Sequence, residues 1–406
     1  MKMKNSNFIF IKLSFIFVLF TIISVLNSCS TDSTPSLYQN RDKGDTPVIN
    51  SIDPAEKGLA GITVITITGE NFSDIAEENL VYFSSSLAEI LQNSTTQLVV
   101  RAPNLVSDSI KIKIAVRGAE LFSDPSDYIL ESAISEPFPF KDFEDPYSIT
   151  VDAEENIYLS YVSANVGQGV NKLTPAGELT NFAPKGGETF YNGLKYAGNG
   201  VLYGVRSVRA IFRITEAASP ATYAVLDNGT NMLDLDFDKD KNIWTGGTGG
   251  KIYRIPANPT GTNDWKSFNF EPAIRSIRIF NDNLYAAASD ENGHAVWKMP
   301  IIAPDSLGTA TKYFDLTANY PLTSALAITF SEDGVLFIGT NYKNPIIAVY
   351  PDLSHEEWYA GVLASPADKF AWGNGTDLYY TVGAVGARTI IKINMGLNGA
   401  PDYGRD

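Results

Sequence analysis

The sequence predicts an all-β protein in two folded parts, a small β-sandwich followed by a ring of six blades. Three observations predict it. A polar turn, a small apolar residue and then an aromatic recur through the second half, with the aromatics at Tyr158, Tyr203, Trp244, Tyr285, Phe337 and Tyr379. Their spacings are 45, 41, 41, 52 and 42 residues, and self-similarity at roughly 40–50 residues marks a β-propeller or a solenoid array. Between residues 47 and 131 the text changes to short β-branched runs separated by turn signals, the pattern of a sandwich. The first 45 residues carry an apolar run and then a polar stretch, and belong to neither part.

The totals fit this division. A chain of 406 residues has room for two or three domains. Hydrophobic residues make up 44% and charged residues 19%, an ordinary globular mixture. The formal net charge is −15, and removal of Lys2, Lys4 and Lys12 with residues 1–28 would leave −18. Such a surface argues against nucleic acid and against electrostatic docking on anionic lipid. One cysteine excludes an intrachain disulfide framework. Two histidines leave little room for a His-based zinc site and disfavour a His-dependent triad, although one well-placed His would serve.

Residues 1–28 read as an export signal. Lys2 and Lys4 give a basic start, and residues 14–26 are too short an apolar run for a comfortable membrane span. The run ends in Leu26-Asn27-Ser28-Cys29, which resembles a bacterial lipobox. That resemblance implies cleavage before Cys29, lipidation of its thiol and anchoring in a membrane through two or more acyl chains. An ordinary signal peptide or an uncleaved anchor with an incidental cysteine is the alternative. The only Cys of the chain nevertheless stands where the motif needs it. Ser30 carries no inner-membrane retention signal, and Asp32 resembles the surface-export signals of Bacteroidota lipoproteins. Residues 29–45, rich in Ser, Thr, Asp and Pro, cannot bury a core and form a flexible tether.

The first folded part covers residues 46–132. Asp53-Pro54 is a turn signal, 62–68 is β-branched throughout, and 80–83, 98–100 and 110–116 read as further strands. Pro47, Ile49, Ser51, Ile52 and Pro54, then Gly61, then Ile65-Thr66-Ile67 with Gly69, Asn71 and Phe72, then Val81, Phe83 and Ala102-Pro103, resemble an IPT/TIG domain. The resemblance implies an immunoglobulin-like fold that serves as a spacer or interaction module. It also makes Gly69 and Phe72 structural, the glycine for a tight corner and the phenylalanine for the core.

The second part covers residues 133–406. Each unit carries an entering strand, a polar turn, the aromatic strand, a variable loop and a third strand bearing Lys172, Arg213, Arg254, Lys298 or Lys392. A weaker fourth strand completes the blade. Six units can be counted, with five or seven left open by the long fourth repeat. The sixth stops after its third strand, so residues 136–143 are expected to supply the missing one and close the ring. The Asp152–Asn156 turn with Ile157-Tyr158 and a downstream Lys172, Pro175 and Gly177 resembles NHL-type six-bladed propellers. The repeated aromatics then pack blade on blade.

The short first turns define one face, the bottom, and the variable loops and blade connections define the top, where binding loops belong. The candidate ligand residues are Tyr147, Tyr191, Asn192, Arg206, Arg209, Asp234, Arg275, His294, Tyr342, Lys369 and Arg388. Together they form either a polar-ligand site, as for a glycan, or a solvated rim. Six-bladed lactonases of the gluconolactonase type hold a divalent metal in the channel. At the corresponding offsets this chain offers Ser148, Gly193, Asp234, Arg275, Ala327 and Lys369, a poor cage for a hard cation such as calcium. Asp152, Asp236 and Asp238 read as turn residues. No catalytic or metal-ligating residue and no cofactor is assigned, with calcium left open.

The order lipobox, tether, sandwich and propeller resembles outer-membrane lipoproteins of Bacteroidota that accompany polysaccharide-utilisation systems. It implies a non-catalytic, surface-exposed protein binding a glycan or an envelope protein. A metal-dependent lactonase-like hydrolase and a structural envelope adaptor are the rivals.

Overall fold

A computed structural model describes residues 43–187, 190–384 and 386–405. The lipobox with Cys29 and most of the tether lie outside the described residues. No described helix is long and apolar enough to cross a membrane.

The sandwich has two sheets. One orders the strands Val48–Asp53, Val64–Glu70, Gln97–Arg101 and Glu89–Asn93. The other orders Lys57–Leu59, Ser126–Glu131, Ser107–Val116, Asn79–Phe83 and Ser86–Leu87, with the first pair parallel. Alternation decides which residues face inward. Ile110, Ile112 and Ile114 are buried while Lys111 and Lys113 between them face solvent, and Ile65, Ile67, Val81, Phe83, Leu98 and Val100 complete the core. Gly69 is required by space rather than by a corner. A Cβ there would lie 1.9 Å from the Val48 carbonyl oxygen and 2.5 Å from the Phe72 ring, which is buried as expected.

Six four-stranded blades follow. Their inner strands are Glu144–Val151, Gly193–Tyr196, Asn231–Phe237, Ala273–Phe280, Ala325–Phe330 and Lys369–Trp372. The long fourth repeat is one blade. Its third strand, Gly293–Ala303, overruns and turns back as Ser306–Leu307 before Thr311–Asp315 pairs with it. Closure differs in detail from expectation. The strand that completes blade 6 is Ile134–Ser135, pairing with Ile393 and Lys392, just upstream of residues 136–143. That proline-rich segment has fewer backbone donors for a ladder, and its Phe138 and Phe140 pack on the core between blades 6 and 1 instead.

The repeated aromatic has a repeated partner. Tyr158 stands opposite Lys172, Tyr203 opposite Arg213, Trp244 opposite Arg254, Tyr285 opposite Lys298 and Tyr379 opposite Lys392. The ammonium groups of Lys172 and Lys298 each sit 5.7 Å from the centroid of the facing ring, a cation–π arrangement. Blade 5 pairs Phe337 with Ala348. The ring's polar tip is held too. Asp152 accepts from the Asn156 backbone N–H at 2.8 Å and the Tyr158 hydroxyl at 3.1 Å, and Asp238 accepts from Asn242 at 2.9 Å and the Trp244 indole at 2.8 Å. Burial, then the Asp152 charge, push the Tyr158 hydroxyl well above its usual range.

Candidate functional site

The inner strands of neighbouring blades do not pair as a sheet, so their buried N–H groups need other acceptors. Side chains one blade back supply them. Thr150 Oγ1 accepts from Tyr196 N at 3.0 Å, Asp234 from Ile277 N at 3.0 Å, Asp236 from Ile279 N at 2.7 Å and Ser276 Oγ from Ile328 N at 3.2 Å. The polar residues lining the channel thus already join blade to blade.

At the lower level Asp236 is a channel residue, not the turn residue that its closeness to Asp238 suggested. It is almost wholly buried, and besides Ile279 N both of its oxygens accept from Arg278 Nη1, at 2.9 and 3.0 Å, with Lys195 Nζ at 3.2 Å. The chain's own C-terminus closes this end. Ala400 N donates to Phe330 O at 2.9 Å, Arg278 Nη2 to Pro401 O at 3.3 Å and Arg405 Nη1 to Trp372 O at 2.8 Å, while Lys241 reaches the Tyr403 carbonyl. Gly404 lies so close to blade 2 that a Cβ would fall 2.1 Å from Tyr196 O. Asp402 lies 4.0 Å from Lys195. Burial opposes its ionisation, but the Lys195, Arg278 and Arg405 cations hold its carboxyl below the usual range. The seal was invisible in the sequence, where residues 396–405 are a short Gly- and Pro-containing tail.

One level up, Ser148, Gly193, Asp234, Ser276, Ala327 and Lys369 line the channel. The turn of blade 4 is one residue shorter than that of blade 3, Arg278 facing Tyr285 where Asp236 faces Trp244, so Ser276 takes the place expected for Arg275. Asp234 is occupied: Ser276 Oγ donates to it at 2.8 Å and Leu235 N at 2.9 Å, besides Ile277 N. The free spaces at the two levels measure about 20 Å³ each, room for little more than a water molecule. Among the described residues no group of three or more His, Cys, Asp or Glu side chains converges on one point.

The top mouth is built differently. Arg275, at a β-bulge between Ile274 and Ser276, reaches across to blade 6 and meets Asp368 Oδ1 at 3.4 Å, while Arg388 Nη1 meets Asp368 Oδ2 at 3.4 Å. The Arg388 guanidinium lies 4.5 Å over the Tyr147 ring, which stacks on Phe190 at 4.0 Å. Asp145 fixes the loop by accepting from Gly386 N at 2.8 Å and Arg388 N at 3.3 Å. His294 belongs to this group, since burial and then the Arg275 cation push its ring below the usual range. Its Nδ1 and the Nε of Arg388 are buried without a hydrogen-bond partner among the described residues. Phe190 and Asp368 were not singled out in the sequence. Phe190 follows a variable segment, and Asp368 gains meaning only from two arginines brought in by other elements.

The remaining candidates disperse. Tyr191 is 0% exposed and packs against Phe212 of blade 2, so its ring is inter-blade packing and unavailable to a ligand. Arg206 covers Phe212 at 4.9 Å. Asn192 donates to Ser207 Oγ at 2.8 Å, and the exposed Arg209 reaches Leu226 O at 3.4 Å. Tyr342 packs edge-on against Tyr320, 6.0 Å away, on the blade 5 side.

A family model for the IPT/TIG domain matches residues 47–129. The N-terminal sandwich is an IPT/TIG domain. No curated protein matches the chain. Among solved structures, a luciferin-regenerating enzyme is similar over 66% of this chain and 98% of its own, at 14% identity and a TM-score of 0.52. A protein of unknown function from Bacteroides thetaiotaomicron aligns over 88% of this chain and 99% of its own, at 15% identity and 0.49. An auxiliary nutrient binding protein from Bacteroides ovatus aligns over 88% and 99%, at 10% and 0.46. At such identities the likeness is one of fold. Between the IPT/TIG domain and blade 5 lies a cleft of about 590 Å³, lined by Arg101 and Glu89 on one side and by Tyr350, Glu356, Trp358 and Tyr359 on the other. Asn104 Nδ2 donates to Gly361 O at 3.3 Å beside it.

Proposed function

We propose that this is a non-catalytic binding protein that recognises a glycan at the top mouth of its propeller, held on the cell surface by a lipid on Cys29 in the outer membrane. One observation carries the binding site. The bottom of the ring is sealed by residues 396–405 and the channel is too narrow for a sugar, so along the ring's axis a ligand has access at the mouth, where Arg275, Asp368, Arg388 and His294 gather. Guanidinium and carboxylate groups side by side donate to and accept from neighbouring hydroxyls, the recurring feature of a sugar face. The surface address rests on the Leu26-Asn27-Ser28-Cys29 motif and the polar tether. Participation in a polysaccharide-utilisation-type system rests on the same order of segments.

Two measurements test this. The full chain run through gels containing a panel of polysaccharides, with calcium and with chelator, is expected to be retarded by at least one, equally under both conditions. Retardation by none removes the glycan, and loss on chelation would bring in a metal that this proposal lacks. Cys29→Ala is expected to move the protein from the membrane fraction to the soluble fraction, and persistence in membranes would refute the lipid anchor.

A further inference from the structure

Resting on the glycan reading but not on the mouth, we infer that the cleft between the IPT/TIG domain and blade 5 is a second sugar site, one that takes uncharged residues of a polysaccharide. Its size admits a ligand where the channel does not. The cleft measures about 590 Å³, against about 20 Å³ at each level of the channel. That lies within the roughly 300–1,000 Å³ usual for ligand sites, which favour domain boundaries. The two walls are docked on each other. Asn104 Nδ2 donates to Gly361 O at 3.3 Å, and a Cβ on Gly61 would lie 2.8 Å from Val362 Cγ2.

The propeller wall is aromatic. Side chains alternate across a strand, so neighbours in sequence stack only where the strand breaks. Trp358 and Tyr359 follow the edge strand His355–Glu357, and Tyr359 adopts a φ of 51°, a left-handed conformation uncommon for so bulky a residue. Val362 N donates to its carbonyl at 3.0 Å, and its hydroxyl donates to Asn394 O at 3.2 Å. Such conformations persist only where their surroundings hold them, and they concentrate at ligand sites. The Trp358 and Tyr359 rings stack at 4.8 Å, and Tyr350 adds a third ring to the same wall. The C–H face of a pyranose buries apolar surface against such rings, while their polar tips stay free for hydroxyls. The sandwich wall brings charge. Arg101 Nε meets Glu89 at 3.4 Å, with side chains 39% and 67% exposed. The Nη groups of Arg101 donate no hydrogen bond among the described residues, so they are available to sugar oxygens. Glu356 takes the Tyr350 hydroxyl on one oxygen and keeps the other as an acceptor. Charge then selects the class of sugar. Glu89, Glu356 and Glu357 line the cleft against Arg101 alone. An excess of carboxylates in a concave site repels uronates and sulfates and leaves neutral hexoses unopposed.

The test is affinity electrophoresis of the full chain in gels of a neutral β-glucan, a neutral galactomannan and polygalacturonate. Wild type is run beside Arg101→Gln, Val64→Trp and Arg275→Gln. Val64 lines the cleft and is 47% exposed, so an indole there fills the space without entering a core. Retardation is expected in at least one neutral gel. Arg101→Gln is expected to weaken it about tenfold, the worth of one hydrogen bond to a charged group. Val64→Trp is expected to weaken it further. Melting temperatures of both should stay within about 2 °C of wild type, since both side chains reach solvent. Weakening by the two cleft variants and not by Arg275→Gln would keep the cleft and remove the mouth. Neutral-gel retardation that neither cleft variant weakens, or retardation by polygalacturonate alone, would overturn the cleft inference and leave the glycan reading at the mouth standing. No retardation in any gel would overturn both.

Discussion

Asp236 and Arg278 show how a residue's meaning depends on partners in the next blade. The two are almost wholly buried and joined by two contacts within hydrogen-bond distance, with Lys195 as a second cation on the carboxylate. Removing one partner of a buried pair leaves an uncompensated charge. Arg278→Met is therefore expected to destabilise the propeller by about 3 kcal/mol, the lower end for broken buried pairs because Lys195 remains. Chemical denaturation measures it, and a loss under about 1 kcal/mol would show the pair to be dispensable. The turn roles of Asp152 and Asp238 were legible, since each acts within six residues of itself. The role of Asp236 was not, because its partner lies 42 positions away. Arg275 and Ser276 exchanged places for a local reason: the blade 4 turn is one residue shorter than that of blade 3, so counting back from the aromatic lands one residue early.

At the scale of elements, the aromatic strand was the most legible feature. Turn, aromatic and facing cation recur at fixed offsets, so the sequence pattern carries the packing directly. The C-terminal segment was the least legible, because a single unrepeated stretch of Gly, Pro, Asp and Tyr has no periodicity to betray its place. Its contribution can be measured. Deleting residues 399–406 strips Asp402 from Lys195 and Arg278 and uncovers the Phe237 and Trp372 rings. A loss of about 3 kcal/mol, and hence a melting temperature lower by roughly 6–12 °C, is expected. The carboxyl of Asp402 is held below its unfolded value by the surrounding cations. Its stabilisation is therefore complete above about pH 4 and disappears as pH falls through the lower folded value. Asp402→Asn should flatten that acid limb in melting curves taken from pH 2 to pH 6, and an unchanged limb would assign it to other carboxylates.

For the whole molecule, the order of sandwich and ring was readable from composition and repeat length, while the means of closure was not. Two residues ahead of blade 1, Ile134 and Ser135, complete blade 6. A chain beginning at residue 132 should keep the ring monomeric, whereas one beginning at residue 137 leaves the Thr389–Asn394 edge bare and should associate on gel filtration. Equal monomer fractions would show that Ile134–Ser135 is not the closing element. The same separation governs how the molecule comes into being. The pair Ile134 and Ile393 is about 260 residues apart, and contacts so distant in sequence are slow to form. As the polypeptide emerges from its N-terminus, the ring remains an open fan until residue 394 arrives, and its terminal plug can enter only after that. A nascent chain therefore passes through an interval in which the apolar faces of blades 1 and 5 that blade 6 will cover stand open, and this interval is when it is most exposed to aggregation and proteolysis.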